Sequence, residues 1–225
     1  MIVVLAGAPG AGKGTHAARV AEVLDVPHVS TGDLLRGAVD SGTELGKKAE
    51  SYMKGGELVP DDIMLSLVAG LLDSPEWERG VVLDGFPRTL PQAHGFDALL
   101  KERGRPLGRV LLFDLSEEAA VDRLSSRMWC PKDSSIYNLK TNPPATDGVC
   151  DVCGGPLERR ADDEPETIRA RFVEFRSATG PMIDYYKDLG ALTRVSTEGP
   201  IEDVSRRVRE AAERLTAGDG VGDGR

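Results

Sequence analysis

No stretch of this chain approaches the ~20 consecutive apolar residues that a helix needs to cross a bilayer, so no membrane partner is expected. Basic excess is missing too. The 28 Lys and Arg stand against 37 Asp and Glu, a formal net charge of −9, which disfavours sequence-independent binding of nucleic acid. Cysteine is scarce: three in all, every one between residues 130 and 153. An odd number packed into one short segment argues against a secreted disulfide framework and for metal ligation. The opening strand has no basic leader and no small-residue cleavage site, so the expected location is cytoplasmic. Neither an internal repeat nor a long linker divides the 225 residues, and 40% hydrophobic with 29% charged residues suits one soluble core with inserted pieces.

What is present begins with Ile2-Val3-Val4-Leu5-Ala6, a buried-type strand, running into Gly7-Ala8-Pro9-Gly10-Ala11-Gly12-Lys13-Gly14-Thr15. Glycines in such a turn let successive N–H groups converge on an anion at the start of a helix, and Lys13 adds a mobile positive charge. The run fits Gly-x-x-x-x-Gly-Lys, except that Gly14 stands where Ser or Thr is usual and the hydroxyl follows at Thr15. A plain glycine-rich helix cap is the simpler alternative, but a strand before and a helix after are the context a phosphate loop requires.

Apolar strands at 2–6, 81–84, 109–114 and 192–196, a short one near 27–30, and helices at 13–24, 117–127, 166–186 and 201–215 predict a wound parallel α/β sheet. Active groups then gather at the carboxyl ends of the strands. Two stretches interrupt the alternation, 31–60 and 128–160, leaving a core of 1–30, 61–127 and 161–217. The glycine-rich tail 218–225 has too little apolar surface to pack and is expected to be disordered.

The second informative string is Val81-Val82-Leu83-Asp84-Gly85-Phe86-Pro87-Arg88. A carboxylate at a strand end beside a phosphate loop can hold the waters of Mg2+, and Arg88 offers a bidentate fork to a phosphate. Gln92, one helical turn on, can face the same ligand with an amide that donates and accepts as an adenine edge does. The alternative is a turn closed by Asp84 with Arg88 solvated.

Gly7 to Thr15, Val29-Ser30-Thr31-Gly32-Asp33 and Asp84-Gly85-Phe86-Pro87-Arg88-Thr89 together resemble the adenylate kinase family. The likeness continues through Asn142-Pro143-Pro144 and Arg160-Ala161-Asp162-Asp163 to Pro181-Met182-Ile183-Asp184-Tyr185-Tyr186, nearly the whole chain except the tail. It implies a five-stranded P-loop core, transfer of the terminal phosphoryl group of ATP to AMP giving two ADP with Mg2+, an acceptor-binding insertion at 31–60 and a lid at 128–160. Closure of such covers over the substrates is implied by the resemblance, adenylate kinase lids being a known example of such gating.

Carried over to this chain, the resemblance implies ATP contacts from Gly10, Ala11, Gly12, Lys13, Gly14, Thr15, Arg123, Arg127, Ile136, Tyr137 and Gly199. AMP contacts are implied for Thr31, Arg36, Gly85, Phe86, Pro87, Arg88, Gln92, Arg160 and Arg171, with the backbone around Glu57, Leu58 and Val59 lining its adenine. Asp84 and Asp33 are assigned to waters of Mg2+; Lys13, Arg88, Arg123, Arg160 and Arg171 are the expected catalytic cations. Arg123 and Arg127, four apart on one expected helix face, would join Arg160 and Arg171 around one anion. Helix capping is the ordinary reading of Thr31 and Asp33, and pairing with Asp162, Asp163 or Glu166 that of the arginines.

Within the lid, Cys130-Pro131-Lys132-Asp133 and Cys150-Asp151-Val152-Cys153 each place two residues between candidate ligands, as zinc knuckles do, with sixteen residues between Asp133 and Cys150. A tetrahedral Zn2+ site of three cysteines and Asp133 is expected, Asp151 or a nearby Ser being rival donors and packed thiols the alternative. Such a closed site would be structural. Asn138 and Thr141 depart from the family, whose lids commonly have His and an aromatic there. The leading expectation is a monomeric adenylate kinase acting on ATP, AMP and ADP without nucleic acid. Another nucleoside monophosphate kinase and a non-catalytic zinc-ribbon nucleic-acid module are the alternatives.

Overall fold

The computed structural model describes residues 1–55, 57–159 and 163–217. Gly56, Arg160, Ala161, Asp162 and the tail 218–225 lie outside the described residues, and with them the expectations for Arg160 and for a disordered tail.

Five strands, β1 (Ile2–Gly7), β2 (His28–Ser30), β3 (Val81–Asp84), β4 (Leu107–Asp114) and β7 (Leu192–Ser196), form a parallel sheet in the order β2-β3-β1-β4-β7. This is the five-stranded wound sheet expected, and its apolar runs explain its two-sided burial. Ile2, Val4, Leu83, Val110 and Leu112 point into one core; Val3, Leu5, Val82, Leu111 and Phe113 point into the other. Period-2 alternation sends neighbours to opposite faces, so strands apolar at every position need cover on both sides.

Helices α1 (Lys13–Leu24) and α9 (Ile201–Thr216) cover one face, through Ala17, Val20, Val204 and Val208. On the other lie α4 (Asp61–Leu72), α5 (Leu90–Glu102) and α8 (Gly180–Asp188), packing Val68, Phe96 and Tyr186. The 31–60 stretch folds as α2 (Thr31–Asp40) and α3 (Glu44–Gly55). Ser30 caps α2 by accepting from the Asp33 amide at 3.2 Å, so the capping role considered for Thr31 and Asp33 belongs to Ser30.

Two helix expectations need correction. The expected helix 117–127 is α6 (Glu117–Ser125); Arg127 lies beyond it and opens β5 (Arg127–Trp129), which pairs antiparallel with β6 (Ile136–Asn138). Consecutive Ser125 and Ser126 favour a helix end, and Arg127 to Trp129 find partners in β6. Arg123 and Arg127 therefore do not share a helix face. The expected helix 166–186 is three pieces: α7 (Pro165–Glu174), a π-helical segment Phe175–Thr179 and α8. Pro181 lacks an N–H and its ring would crowd the carbonyl of Ser177, so the chain widens by one residue per turn, the Gly180 amide donating to Phe175 O.

Gly70 occupies the interior of α4, exposed and with nothing within 4 Å of a Cβ placed there. Gly70→Ala should therefore stabilise the fold by about 0.5–1 kcal/mol in urea denaturation, by reducing the entropy of the unfolded chain.

Candidate active site

The phosphate-type loop leaves the carboxyl end of β1. Gly7, at φ +150°, passes so close to β4 that a Cβ would sit 2.6 Å from Phe113 O, which no side chain tolerates. Gly12, at φ +86°, is the left-handed N-cap of α1, and no side chain caps that helix. Its first N–H groups are therefore free of competition from a side chain, the arrangement that favours an anion. Lys13 bends back over the loop, its Nζ donating to Gly7 O at 2.7 Å and Ala8 O at 3.1 Å. Burial pulls the Lys13 ammonium down to about 8; Asp84 opposes the shift, and Arg88, Arg171 and Arg127 add to it. Gly14 and Thr15 are exposed in the first turn.

Next to this loop, β3 ends at Asp84, buried at 9% exposure and in register with Leu5. Thr31, buried, donates to Asp84 O at 3.2 Å and so ties the start of α2 to the strand end. Beyond the buried, cis-linked Phe86–Pro87, Arg88 is exposed and its Nε donates to Gly85 O at 2.7 Å. One cleft is lined by Lys13, Leu58, Gly85, Pro87, Arg88 and Arg171. It joins the two phosphate-type sites that the sequence presents separately.

The structure does not bring every expected contact to that cleft. Phe86 is fully buried, edge-to-face with Phe96 at 5.4 Å between centroids, so its side chain belongs to the core. Leu58 lines the cleft, while the side chain of Val59 is buried in the same core and that of Glu57 is exposed, which leaves the backbone of 57–59 as the part expected to face a base. Gln92 is 2% exposed; its Oε1 accepts from Arg88 N at 2.8 Å and its Nε2 donates to Asp61 at 2.7 Å. Both ends of its amide are engaged by protein partners in this structure. Arg36 and Asp33 form an exposed ion pair with each other.

On the other side, Arg123 donates to Thr197 O at 2.5 Å and to Gly199 O at 3.4 Å. Arg127 forks onto Asp163 at 2.8 and 2.6 Å, and Arg171 reaches the same carboxylate at 3.9 Å. Pairing with Asp163 thus holds for two of the expected arginines, and it gathers them. Asn138 donates to Arg123 O at 3.0 Å while its Oδ1 accepts from Lys140 N and Thr141 N, so it anchors the lid hairpin to α6.

Within the 128–160 stretch, one potential ligand atom from each of Cys130, Asp133, Cys150 and Cys153 lies within 4.8 Å of the others. Cys130 Sγ is 3.4 Å from Cys153 Sγ, and Cys150 Sγ 3.2 Å from Asp133 Oδ2. The two halves share a backbone: Ser134 N bonds Cys130 O and Cys130 N bonds Ser135 O, while Gly154 N bonds Cys150 O and Cys150 N bonds Gly155 O. Ser134 and Gly154 take φ of +63° and +69°. Three thiols and a carboxylate so gathered are compatible with tetrahedral Zn2+. Asp151, the rival donor, instead accepts from Ala145 N at 2.9 Å. Tyr137 is buried, its hydroxyl accepting from Asp151 N at 2.8 Å beside Cys150; it packs the lid core, and Ile136 is the exposed neighbour.

Asp61 was not read from the sequence, and Asp163 was read only as one of three acids able to pair with the arginines. An acid opening α4 suggests favourable placement at a helix start and nothing of partners in α5.

A family model described as adenylate kinase matches residues 5–191. Adenylate kinase of Streptomyces coelicolor is 44% identical over 215 residues, 95% of this chain and 99% of that protein. Those of Archaeoglobus fulgidus (44% over 215 residues, 96% and 99%) and Thermosipho africanus (45% over 208 residues, 92% and 97%) are similar over comparable spans.

The Asp163 side chain is 2% exposed and that of Arg127 15%. Removing the carboxylate strands a buried guanidinium, so Asp163→Ala should lower unfolding free energy by about 3 kcal/mol in chemical denaturation.

Proposed function

The chain belongs to the adenylate kinase family, and from that membership we infer that its cleft catalyses reversible, Mg2+-dependent transfer of the terminal phosphoryl group of ATP to AMP, giving two ADP. The observation that carries the reading is the single cleft shared by Lys13 of the phosphate loop and by Arg88 and Arg171. Phosphoryl transfer between two nucleotides asks the protein for position and positive charge, because the acceptor's phosphate oxygen is itself the nucleophile.

On the donor side the N–H groups of Gly10 to Thr15 and the Lys13 ammonium hold the ATP phosphates, with Arg123, Ile136 and Gly199 toward the nucleoside. Lys13 then exchanges its bonds to Gly7 O and Ala8 O for phosphate oxygens. On the acceptor side Arg88 and Arg36 neutralise the AMP phosphate, and Thr31, Leu58 and Gly85 shape its pocket. Arg171, beside Arg127 and Asp163, faces the moving group, where Arg160 would join it. Bound Mg2+ would neutralise charge between the ATP phosphates; Asp84 is the residue placed to hold its waters, and Asp33 reaches that role only by leaving Arg36. Residues 31–60 and 128–160 serve as the two covers that exclude water during transfer.

For the lid, Cys130, Asp133, Cys150 and Cys153 hold a structural Zn2+, with no position open to substrate. The protein acts in the cytoplasm as a monomer without a nucleic-acid partner; cysteines gathered in one metal-type cluster instead of disulfides support the location, and the net charge of −9 the lack of a nucleic-acid partner.

Several measurements check this reading. In a panel of donors and acceptors, ATP with AMP should be the preferred pair, and Arg88→Ala should lower kcat by about 10²–10³-fold with its circular dichroism unchanged. Turnover near that of the parent would remove Arg88 from the role. Because Lys13 loses its proton near pH 8 in the free protein, kcat/KM for ATP should fall above that pH by roughly tenfold per unit. The kcat profile should stay level to higher pH, since bound phosphates favour the ammonium. Purified protein should contain one equivalent of zinc, and Cys150→Ala should release it and lower Tm.

A further inference from the structure

We propose that Asp61 is a positioning residue for the acceptor half of the cleft, acting through Thr89 and Gln92 on Arg88; the inference rests on the assignment of Arg88 to AMP. Asp61 opens α4, where the helix dipole favours a carboxylate. One of its oxygens, Oδ1, accepts from both Thr89 Oγ1 at 3.0 Å and Gln92 Nε2 at 2.7 Å. The chain of bonds closes on itself. Thr89 Oγ1 accepts from Gln92 N at 3.2 Å as the cap of α5, and Gln92 Oε1 accepts from Arg88 N at 2.8 Å.

The Gln92 amide is the hinge of the argument. It is 2% exposed, so neither of its ends can turn to water for a partner. With a pure acceptor at position 61, Nε2 must face α4 and Oε1 must face Arg88 N. Without that acceptor the buried Nε2 is left unpaired, so the amide gains by swinging toward another acceptor, and any such turn breaks or strains its bond from the Arg88 N–H. Asp61 therefore locks the free end of the amide whose other end pins the Arg88 main chain. The guanidinium is held at its other end by Nε donating to Gly85 O at 2.7 Å, which leaves its terminal nitrogens to the cleft. Asp61 also lies three residues beyond Leu58, which lines the same cleft, so the ring links the end of the 31–60 stretch to the arginine.

The test is calorimetric binding of AMP and of ATP, with steady-state KM for each, on the full-length protein. Asp61→Leu, similar in size but with no acceptor, should weaken AMP by about tenfold in both Kd and KM while ATP stays within about twofold. Asp61→Asn keeps an oxygen that can accept both bonds and should restore AMP to within about threefold of the parent. If Asp61→Leu does not fold, Thr89→Val breaks the same ring and should weaken AMP selectively by about threefold. Equal losses for AMP and ATP, or no loss for AMP, would overturn the proposal. Arg88→Ala separates the two levels: if it weakens AMP and the ring variants do not, the role of Asp61 fails alone; if it leaves AMP untouched, the site assignment fails and takes the proposal with it.

Discussion

Like charges crowd one cleft, and much of the local architecture serves to hold them there. Lys13, Arg88, Arg127 and Arg171 each bear on the protonation of Lys13 or line its surroundings, with Asp84 the opposing carboxylate. The fold keeps these cations in place with protein acceptors. Lys13 rests on the carbonyls of Gly7 and Ala8, Arg88 on that of Gly85, and Arg127 on Asp163. Backbone carbonyls are weaker partners for a cation than phosphate oxygens, so these contacts leave the cations available to a polyanion. The cost of assembling the cations is met by tight β-sheet packing, which places Gly7 against Phe113 O and Asp84 beside Leu5.

The lid follows a different logic. Its apolar cluster consists of Cys130, Tyr137, Cys150 and Leu157 with Met128 and Cys153 against them, too small a core to hold a long, loop-rich insertion by burial alone. Two knuckles with matching backbone bonds replace the missing core, and a metal bridging them would act as a cross-link between Cys130 and Cys153 segments. Asn138, on β6, joins that unit to α6 through Arg123 O. Lid and arginine are in this way mechanically connected.

Much of this was legible in the residues. Strands apolar at every position announced a sheet buried on both faces, and Gly7 to Thr15 with Asp84 to Arg88 announced two phosphate-type sites at strand ends. The four candidate metal ligands of the 128–160 stretch were legible from spacing, because a knuckle is a local structure in which two residues separate the donors. Illegible were the choices among partners. Arg127 was expected on a helix with Arg123, but strand pairing with Asn138 took it; Tyr137 and Phe86, expected on nucleotides, lie buried beside Cys150 and Phe96. An aromatic in a motif serves core and ligand equally well until its neighbours are known.

The sequence by itself determined the backbone that makes the cleft. Positive φ at Gly10 and Gly12, a lysine at the first helical position and an acid at the end of β3 are requirements met within a few consecutive residues. The tertiary structure alone decided which polar groups hold the site in shape. Asp61 meets Gln92 across 31 residues and Arg127 meets Asp163 across 36, and neither pair has a signature in local pattern. A hydrogen bond needs its atoms placed to within a few tenths of an ångström, and for partners so far apart along the chain only the packing of whole helices and strands supplies that precision.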